Sequence, residues 1–238
     1  MLTINPNYKI SYESIPFGFG EPQDTKNVAI IIDDFLLNPE LAREYAISNA
    51  SEFKSASPTF YPGSFLAIPT DVSKTLIPFF DELFRKTYDL EAKKMSDFVL
   101  KYSLLSTKPE NLTHLQTICH RDINPSVDLT KHKRIAAVLY LFEDEKLGGT
   151  SFYTKKNNLI PKQIPPVIPP KYLTVSDDNF ELTNHIPAKW NRLVFYPSHI
   201  LHSGYIDHPE LLSEDPSVGR LTINNFTWYS DPESIKFE

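Results

Sequence analysis

The chain has 238 residues, 41% hydrophobic and 23% charged, with a formal net charge of -6. That length takes one domain, 1–238, as the default, with enough chain for a sizeable core, and the acid excess disfavours a broad nucleic-acid-binding surface. One cysteine excludes an intramolecular disulfide and fits a reducing compartment. The opening MLTINPNYKI has no apolar stretch after a basic start, and no run approaches membrane-spanning length, so a cytoplasmic protein without a membrane partner is expected.

Tyr8 to Ser14 and Val28 to Ile32 read as strands, the second because Ile30-Ile31-Ile32 is β-branched and continuous. Asn38-Pro39-Glu40 starts a helix, with Asn38 as N-cap and Pro39 at its first position, running to about Asn49. Thr59 to Pro69 reads as a loop turning at Tyr61-Pro62-Gly63. A second helix is expected over Asp71 to Tyr88, with Leu76, Phe79, Phe80 and Leu83 on its core face. Phe98 to Ser106 is a strand, Pro109-Glu110-Asn111 a turn, Leu115 to Cys119 a short strand, and Lys131-His132-Lys133-Arg134 a solvated turn. Arg134 to Phe142 is a buried strand, followed by a polar turn and the strand Gly148 to Tyr153. Lys155 to Lys189 holds six prolines and is expected to be irregular, polyproline II-like at Pro165–Pro170 and anchored by Ile160, Val167, Tyr172 and Trp190. Its two readings are a surface crossing and a cover over a site. Asn191 to Pro197, Leu201 to Gly204 and Gly219 to Tyr229 close the set of strands. Helices followed by seven or more strands predict a mainly β fold with flanking α-helices, residues 1–95 packing on a core formed by 96–230.

His120-Arg121-Asp122 and the distant His202 are the residues with chemistry. A histidine and a carboxylate two apart share a side of an extended segment. With a second imidazole they form a three-donor face that leaves half of an octahedral ion open, as non-heme iron oxygenases do. His199 competes with His202 for the distal place. His114, His132, His185 and His208 sit in polar surroundings and read as solvated. Cys119 points away from its neighbour His120 and reads as a packed thiol.

In order, the chain presents H-x-D, an apolar strand ending in Glu143-Asp144-Glu145, then Gly148-Gly149-Thr150-Ser151-Phe152, then Asn191-Arg192-Leu193-Val194-Phe195-Tyr196-Pro197. Leu201-His202-Ser203 and Gly219-Arg220-Leu221-Thr222 follow. This order, from Leu115 to Tyr229, resembles the iron(II)/2-oxoglutarate-dependent dioxygenases, especially the prolyl 4-hydroxylase-like branch and within it a bacterial subgroup. The resemblance implies a double-stranded β-helix core, the jelly roll shared with cupins. It implies His120, Asp122 and His202 as ligands of Fe(II), with 2-oxoglutarate and dioxygen as cosubstrates. Related halogenases lack the carboxylate, so Asp122 implies oxygenation instead. Arg220 would bind the distal carboxylate of 2-oxoglutarate through a bidentate contact, with Thr222 as an added donor and Arg192 as the rival anchor. Tyr140, Tyr102, Gln116, Tyr153 and Asn224 are pocket candidates. The expected activity is hydroxylation of an amino acid, a peptide or protein side chain, or a small metabolite. The alternatives are a non-catalytic jelly-roll binding protein and a cupin-like metalloenzyme that does not use 2-oxoglutarate.

Overall fold

The computed structural model describes residues 2–16, 26–56, 61–90, 92–124 and 126–234. Its strands are β1 (Lys9–Ser14), β2 (Val28–Asp33), β3 (Lys54–Ser55), β4 (Gly63–Ala67), β5 (Lys94–Leu105), β6 (His132–Tyr140), β7 (Gly149–Lys155), β8 (Phe180–Pro187), β9 (Leu193–Pro197), β10 (Leu201–Tyr205) and β11 (Arg220–Ser230). Among the described residues the α-helices α1 (Pro39–Ser48), α2 (Thr70–Lys74) and α3 (Ile77–Thr87) precede β5. The strands form an eight-stranded sheet, β1-β2-β9-β6-β11-β5-β4-β3, and a smaller sheet, β10-β7-β8. Every strand pairing is antiparallel. An isolated bridge between His120 and His202 adds one rung beyond β10. The two facing sheets, filled by each other's side chains and covered by helices on one outer face, are a jelly roll.

Alternation along the strands decides what each layer receives. On β11, Leu221, Ile223 and Tyr229 face a core shared with α1 and α3. The intervening Arg220, Asn224 and Phe226 face the space between the sheets. A slip of one residue would exchange these two sets, so the apolar face of β11 also fixes the direction of Arg220. Phe195 on β9 keys the helical layer: its ring meets Phe80 at 4.8 Å and Phe84 at 4.9 Å, both near-perpendicular. Between the sheets, Leu105, Tyr140, Phe152 and Tyr196 make a second core. Gly148 has φ +91°, and a Cβ there would lie 1.6 Å from the Tyr205 carbonyl oxygen, so only glycine lets β7 start this close to β10.

Several expectations are corrected. Gly63–Ala67 is strand β4, paired with β5, where a loop was expected; Thr59 and Phe60 lie outside the described residues. The helix expected over Asp71–Tyr88 is two helices, because Pro78 lies in the first turn of α3 and a proline does not sit in a helix interior. Leu115 to Cys119 is not a strand: His114–Gln116 is a 3-10 turn closed by a Thr113/Gln116 capping box. Asn38 sits at the N-cap without a side-chain bond. His132 to Arg134 already belong to β6 rather than to a turn. The proline-rich stretch ends in a regular strand, β8, and is anchored by the buried Ile164, Tyr172 and Leu173, while Ile160 is exposed. Cys119 is buried and unpaired as a packed thiol. Among the described residues no helix is long and apolar enough to cross a membrane.

Candidate metal centre and its cavity

His120 and His202 face each other across the isolated bridge. Each donates its backbone N–H to the other's carbonyl at 3.0 Å. Directly opposed residues of an antiparallel pair project to the same side, and their imidazole centroids lie 4.5 Å apart. Asp122, two residues on, is fixed by its N–H donating to the Ser198 carbonyl at 2.9 Å and by Arg134 Nη1, which donates to the Asp122 carbonyl. Its carboxylate closes the group, with Oδ1 3.5 Å from His120 Nε2 and Oδ2 3.1 Å from His202 Nε2. The three ligand atoms lie within 4.8 Å of one another.

The tautomer of His202 follows from its other nitrogen. Nδ1 lies 2.9 Å from the Ile200 carbonyl, which can only accept, so Nδ1 carries the proton and Nε2 points at Asp122. Burial opposes charge on both groups. The histidines nevertheless hold the Asp122 carboxyl well below the usual carboxylate range, and Asp122 raises His202 against its own burial. Such a group concentrates one negative charge between two imidazoles, a donor set suited to a divalent transition metal. His120 is half exposed and His202 buried, so the face opens outward from a fixed inner wall.

The expected alternatives take other places. His199 is buried with Nε2 3.0 Å from Asn27 Oδ1, and it is outside the converging group. Burial, then the charges of Lys133 and Arg121, push it down to about 4. Arg192 clamps Asp33 with Nε–Oδ1 2.6 Å and Nη2–Oδ2 3.0 Å, tying β9 to β2 as a structural residue. His132 lies on β6, bonded to Ser230, and His185 on β8, bonded to Ser151, where polar loops were expected. His208 pairs with Glu210 near the surface, and His114 Nε2 meets the Pro161 carbonyl.

A cavity of about 350 Å³ runs inward from the three donors and is lined by Arg220, Tyr61, Lys101, Thr150, Tyr172 and Asn224 among others. Arg220 is 4% exposed. Its Nε donates to the Leu147 carbonyl at 3.0 Å and its Nη2 to the Gly149 carbonyl at 2.8 Å. Among the described residues no carboxylate pairs with it. The guanidinium is held over the Tyr140 and Phe142 rings, 5.8 Å from each centroid. A buried cation satisfied only by backbone carbonyls, with its remaining donors toward a cavity, is a site for an anion.

Thr222 and Tyr140 do not line the cavity, which corrects their expected direct contact with a ligand. The Thr222 hydroxyl lies 3.3 Å from the Ser103 carbonyl and 2.9 Å from Asn224 Oδ1. Tyr140 meets the Thr150 hydroxyl at 2.7 Å. Both stand behind the cavity wall. Tyr102, bonded to the Ala42 carbonyl, belongs to the helical core, and the Tyr153 hydroxyl donates to the Leu173 carbonyl at 2.8 Å. Gln116 and Asn224 do line the cavity.

Tyr61 and Lys101 were not anticipated. Tyr61 sat in an expected turn, yet its hydroxyl lies against Thr222 and Ser103. Burial, partly offset by the Arg220 charge, pushes it up to about 12. Lys101 had a signal: a charge inside the apolar strand FVLKYSLL, on the same face as Leu105.

Fold and site together define a jelly-roll protein with a three-donor face of two imidazoles and one carboxylate. The model of the Family of unknown function (DUF6445) matches residues 21–165 and 161–227, and the chain belongs to that family. No curated protein matches the sequence. Among solved structures the chain is similar to HygX from Streptomyces hygroscopicus with nickel, 2-oxoglutarate and hygromycin B bound (9% identity, 88% of this chain, 85% of that one, TM-score 0.47). It is also similar to the non-heme alpha ketoglutarate dependent carbocyclase SnoK from nogalamycin biosynthesis (12% identity, 85% and 79% coverage, TM-score 0.46). A third is a 2OG-Fe(II) oxygenase family oxidoreductase from Burkholderia pseudomallei (11% identity, 85% of each chain, TM-score 0.40).

Proposed function

We propose that this chain is an iron(II)- and 2-oxoglutarate-dependent oxygenase that hydroxylates a small molecule or a side chain, in a cytoplasmic setting. One juxtaposition carries the reading: a two-histidine, one-carboxylate face opens onto the same cavity as a buried arginine that has no carboxylate partner among the described residues. The metal face alone would serve many cupin-like proteins. An anion anchor beside it is what a dicarboxylate cosubstrate requires. The prolyl 4-hydroxylase-like branch remains part of the proposal and rests on motif order.

When bound, iron with 2-oxoglutarate and dioxygen would supply the oxidising chemistry. The protein's own residues bind and orient. His120, Asp122 and His202 would hold the metal, and Asp122 keeps a carboxylate where related halogenases lack one. Arg220 receives the distal carboxylate, held in direction by the Leu147 and Gly149 carbonyls. Thr222 and Tyr140 act as positioning residues, the first beside Tyr61 and the second beneath the guanidinium. Tyr172 and Leu173 close one wall and limit water. The volume lies near the small end of ligand pockets, about 300–1,000 Å³, which favours a small substrate or one side chain.

The test is anaerobic addition of Fe(II) and then 2-oxoglutarate, followed by visible absorption, with succinate measured after dioxygen is admitted. A charge-transfer band requiring both additions, followed by succinate, is the expected result. Metal binding without any effect of 2-oxoglutarate would leave a cupin-like metalloprotein, and no metal binding at all would leave a binding protein.

A further inference from the structure

Besides Arg220, two further cations line the cavity, Lys101 and Arg121, of which Lys101 stands on the floor formed by the large sheet. Lys101 on β5 pairs with Asn224 on β11, while Arg220 pairs with Leu105. These rungs are four residues apart, roughly 13 Å along the sheet. Gly204 lies against the Arg220 guanidinium, while the His202 ring meets Tyr196 at 4.7 Å, and Tyr196 shares its rung with Ala136 and Phe226, two residues past Asn224. A cosubstrate carboxylate held at Arg220 therefore leaves the Lys101 ammonium, four residues along the sheet and nearer the metal face, for a second anion.

Lys101 is half buried. Its Nζ lies 3.5 Å from the Phe65 ring centroid and 5.8 Å from that of Phe226, and no carboxylate bonds it among the described residues. Arg134 adds positive charge nearby, its guanidinium 4.3 Å from the same Phe226 ring. Burial and then the Arg134 charge push Lys101 below the ordinary lysine value, against the Asp122 carboxylate, which favours its charge. A cation in that position gains by meeting an anion, and the rings around it accept an apolar body.

Building on the oxygenase reading, we infer that the substrate is a small organic acid: its anionic head group is taken by Lys101, and its apolar body lies along Phe65 and Phe226 toward the metal. The shared chemistry is an oxyanion; a carboxylate and a phosphate monoester are its two sources.

The experiment titrates phenylacetate, phenyl phosphate and the neutral phenylacetamide into protein loaded with Ni(II) and saturating 2-oxoglutarate, by calorimetry. One or both acids should bind and the amide should not, the tighter acid naming the head group. Lys101→Met should weaken the acids by about tenfold or more, the loss of one charge-assisted contact. It should leave 2-oxoglutarate affinity and the thermal midpoint near wild type, and Lys101→Arg should restore binding. Amide binding equal to that of the acids, binding of none of the three, or acid binding unchanged in Lys101→Met overturns the inference. A loss of 2-oxoglutarate affinity in Lys101→Met overturns it too, by moving Lys101 to the cosubstrate. Metal-free Arg220→Met protein separates the two proposals: Lys101-dependent acid binding there, in a chain whose wild type never binds 2-oxoglutarate, sinks the oxygenase reading and keeps the anion subsite.

Discussion

Replacing Arg220 by methionine removes one charge and keeps most of the stem. In the folded chain the guanidinium donates to two backbone carbonyls, at 3.0 and 2.8 Å. A bound 2-oxoglutarate would use its remaining donors. Hydrogen bonds to charged groups contribute about 1.5–3 kcal/mol. At 1.4 kcal/mol per tenfold, 2-oxoglutarate affinity should fall about 10- to 100-fold. The Leu147 and Gly149 carbonyls also lose their donor, which costs about 1–3 kcal/mol of stability, partly offset by removing a buried charge. The assay is anaerobic titration of 2-oxoglutarate into Fe(II)-loaded protein, with Fe(II) affinity and thermal midpoint measured beside it. Metal affinity should stay close to wild type, because no ligand atom has changed. Unchanged 2-oxoglutarate affinity in a folded variant would refute the assignment and direct attention to Lys101, since Arg192 is already committed to Asp33.

Alanine at His120, Asp122 or His202 should each lower Fe(II) or Ni(II) affinity by more than about 100-fold in calorimetry, whereas His199→Ala should keep it; the reverse would move the metal to His199. Asp33→Asn should lower stability by about 1 kcal/mol at neutral pH, the modest amount expected of a partly solvated ion pair. Arg192 first, against burial, holds the Asp33 carboxyl below its ordinary 3.8. The wild-type advantage is therefore complete above that pH and is lost as pH falls through the folded value, which urea unfolding across pH 3 to 7 would follow. Phe195→Ala should cost about 3–5 kcal/mol, because its ring fills the junction of α3 with the large sheet; a small shift in the urea midpoint would contradict that packing. Tyr172→Ala should uncouple succinate formation from substrate oxidation. A Gly/Ser linker in place of Ile164–Pro170 should not, because of the proline-rich stretch only Tyr172 and Leu173 line the cavity; full coupling in both variants would return the stretch to a plain surface crossing.

Strands buried on both faces were legible because their composition has few other uses. Ile30-Ile31-Ile32 and the apolar run from Ile135 to Tyr140 stand where they were expected. The His120, Asp122 and His202 convergence was readable from a two-residue spacing plus motif order. The misses have local causes. β8 carries Glu181, Thr183, Asn184 and His185 at the edge of the small sheet, where a strand has no need of strict alternation. The Thr113/Gln116 pair is a capping signature that outweighed the extended tendency of Leu115 to Cys119. Tyr61 was hidden because Tyr-Pro-Gly satisfies a turn as well as it satisfies the start of β4. The depth of a side chain, as for Thr222 behind the wall, depends on sheet curvature and neighbours, which spacing does not encode.

The single rung between His120 and His202 also has a mechanical meaning. Among the described residues the segment carrying His120 and Asp122 makes no further ladder with the small sheet; Asp122 is held instead from Ser198 and Arg134. An ion gripped by all three side chains would act as a rivet through that seam, joining pieces far apart in sequence. Loading the protein should then slow amide exchange at the backbone N–H groups of His120, Asp122 and His202 more than elsewhere. The seam, rather than the barrel, would set how quickly the ion comes and goes.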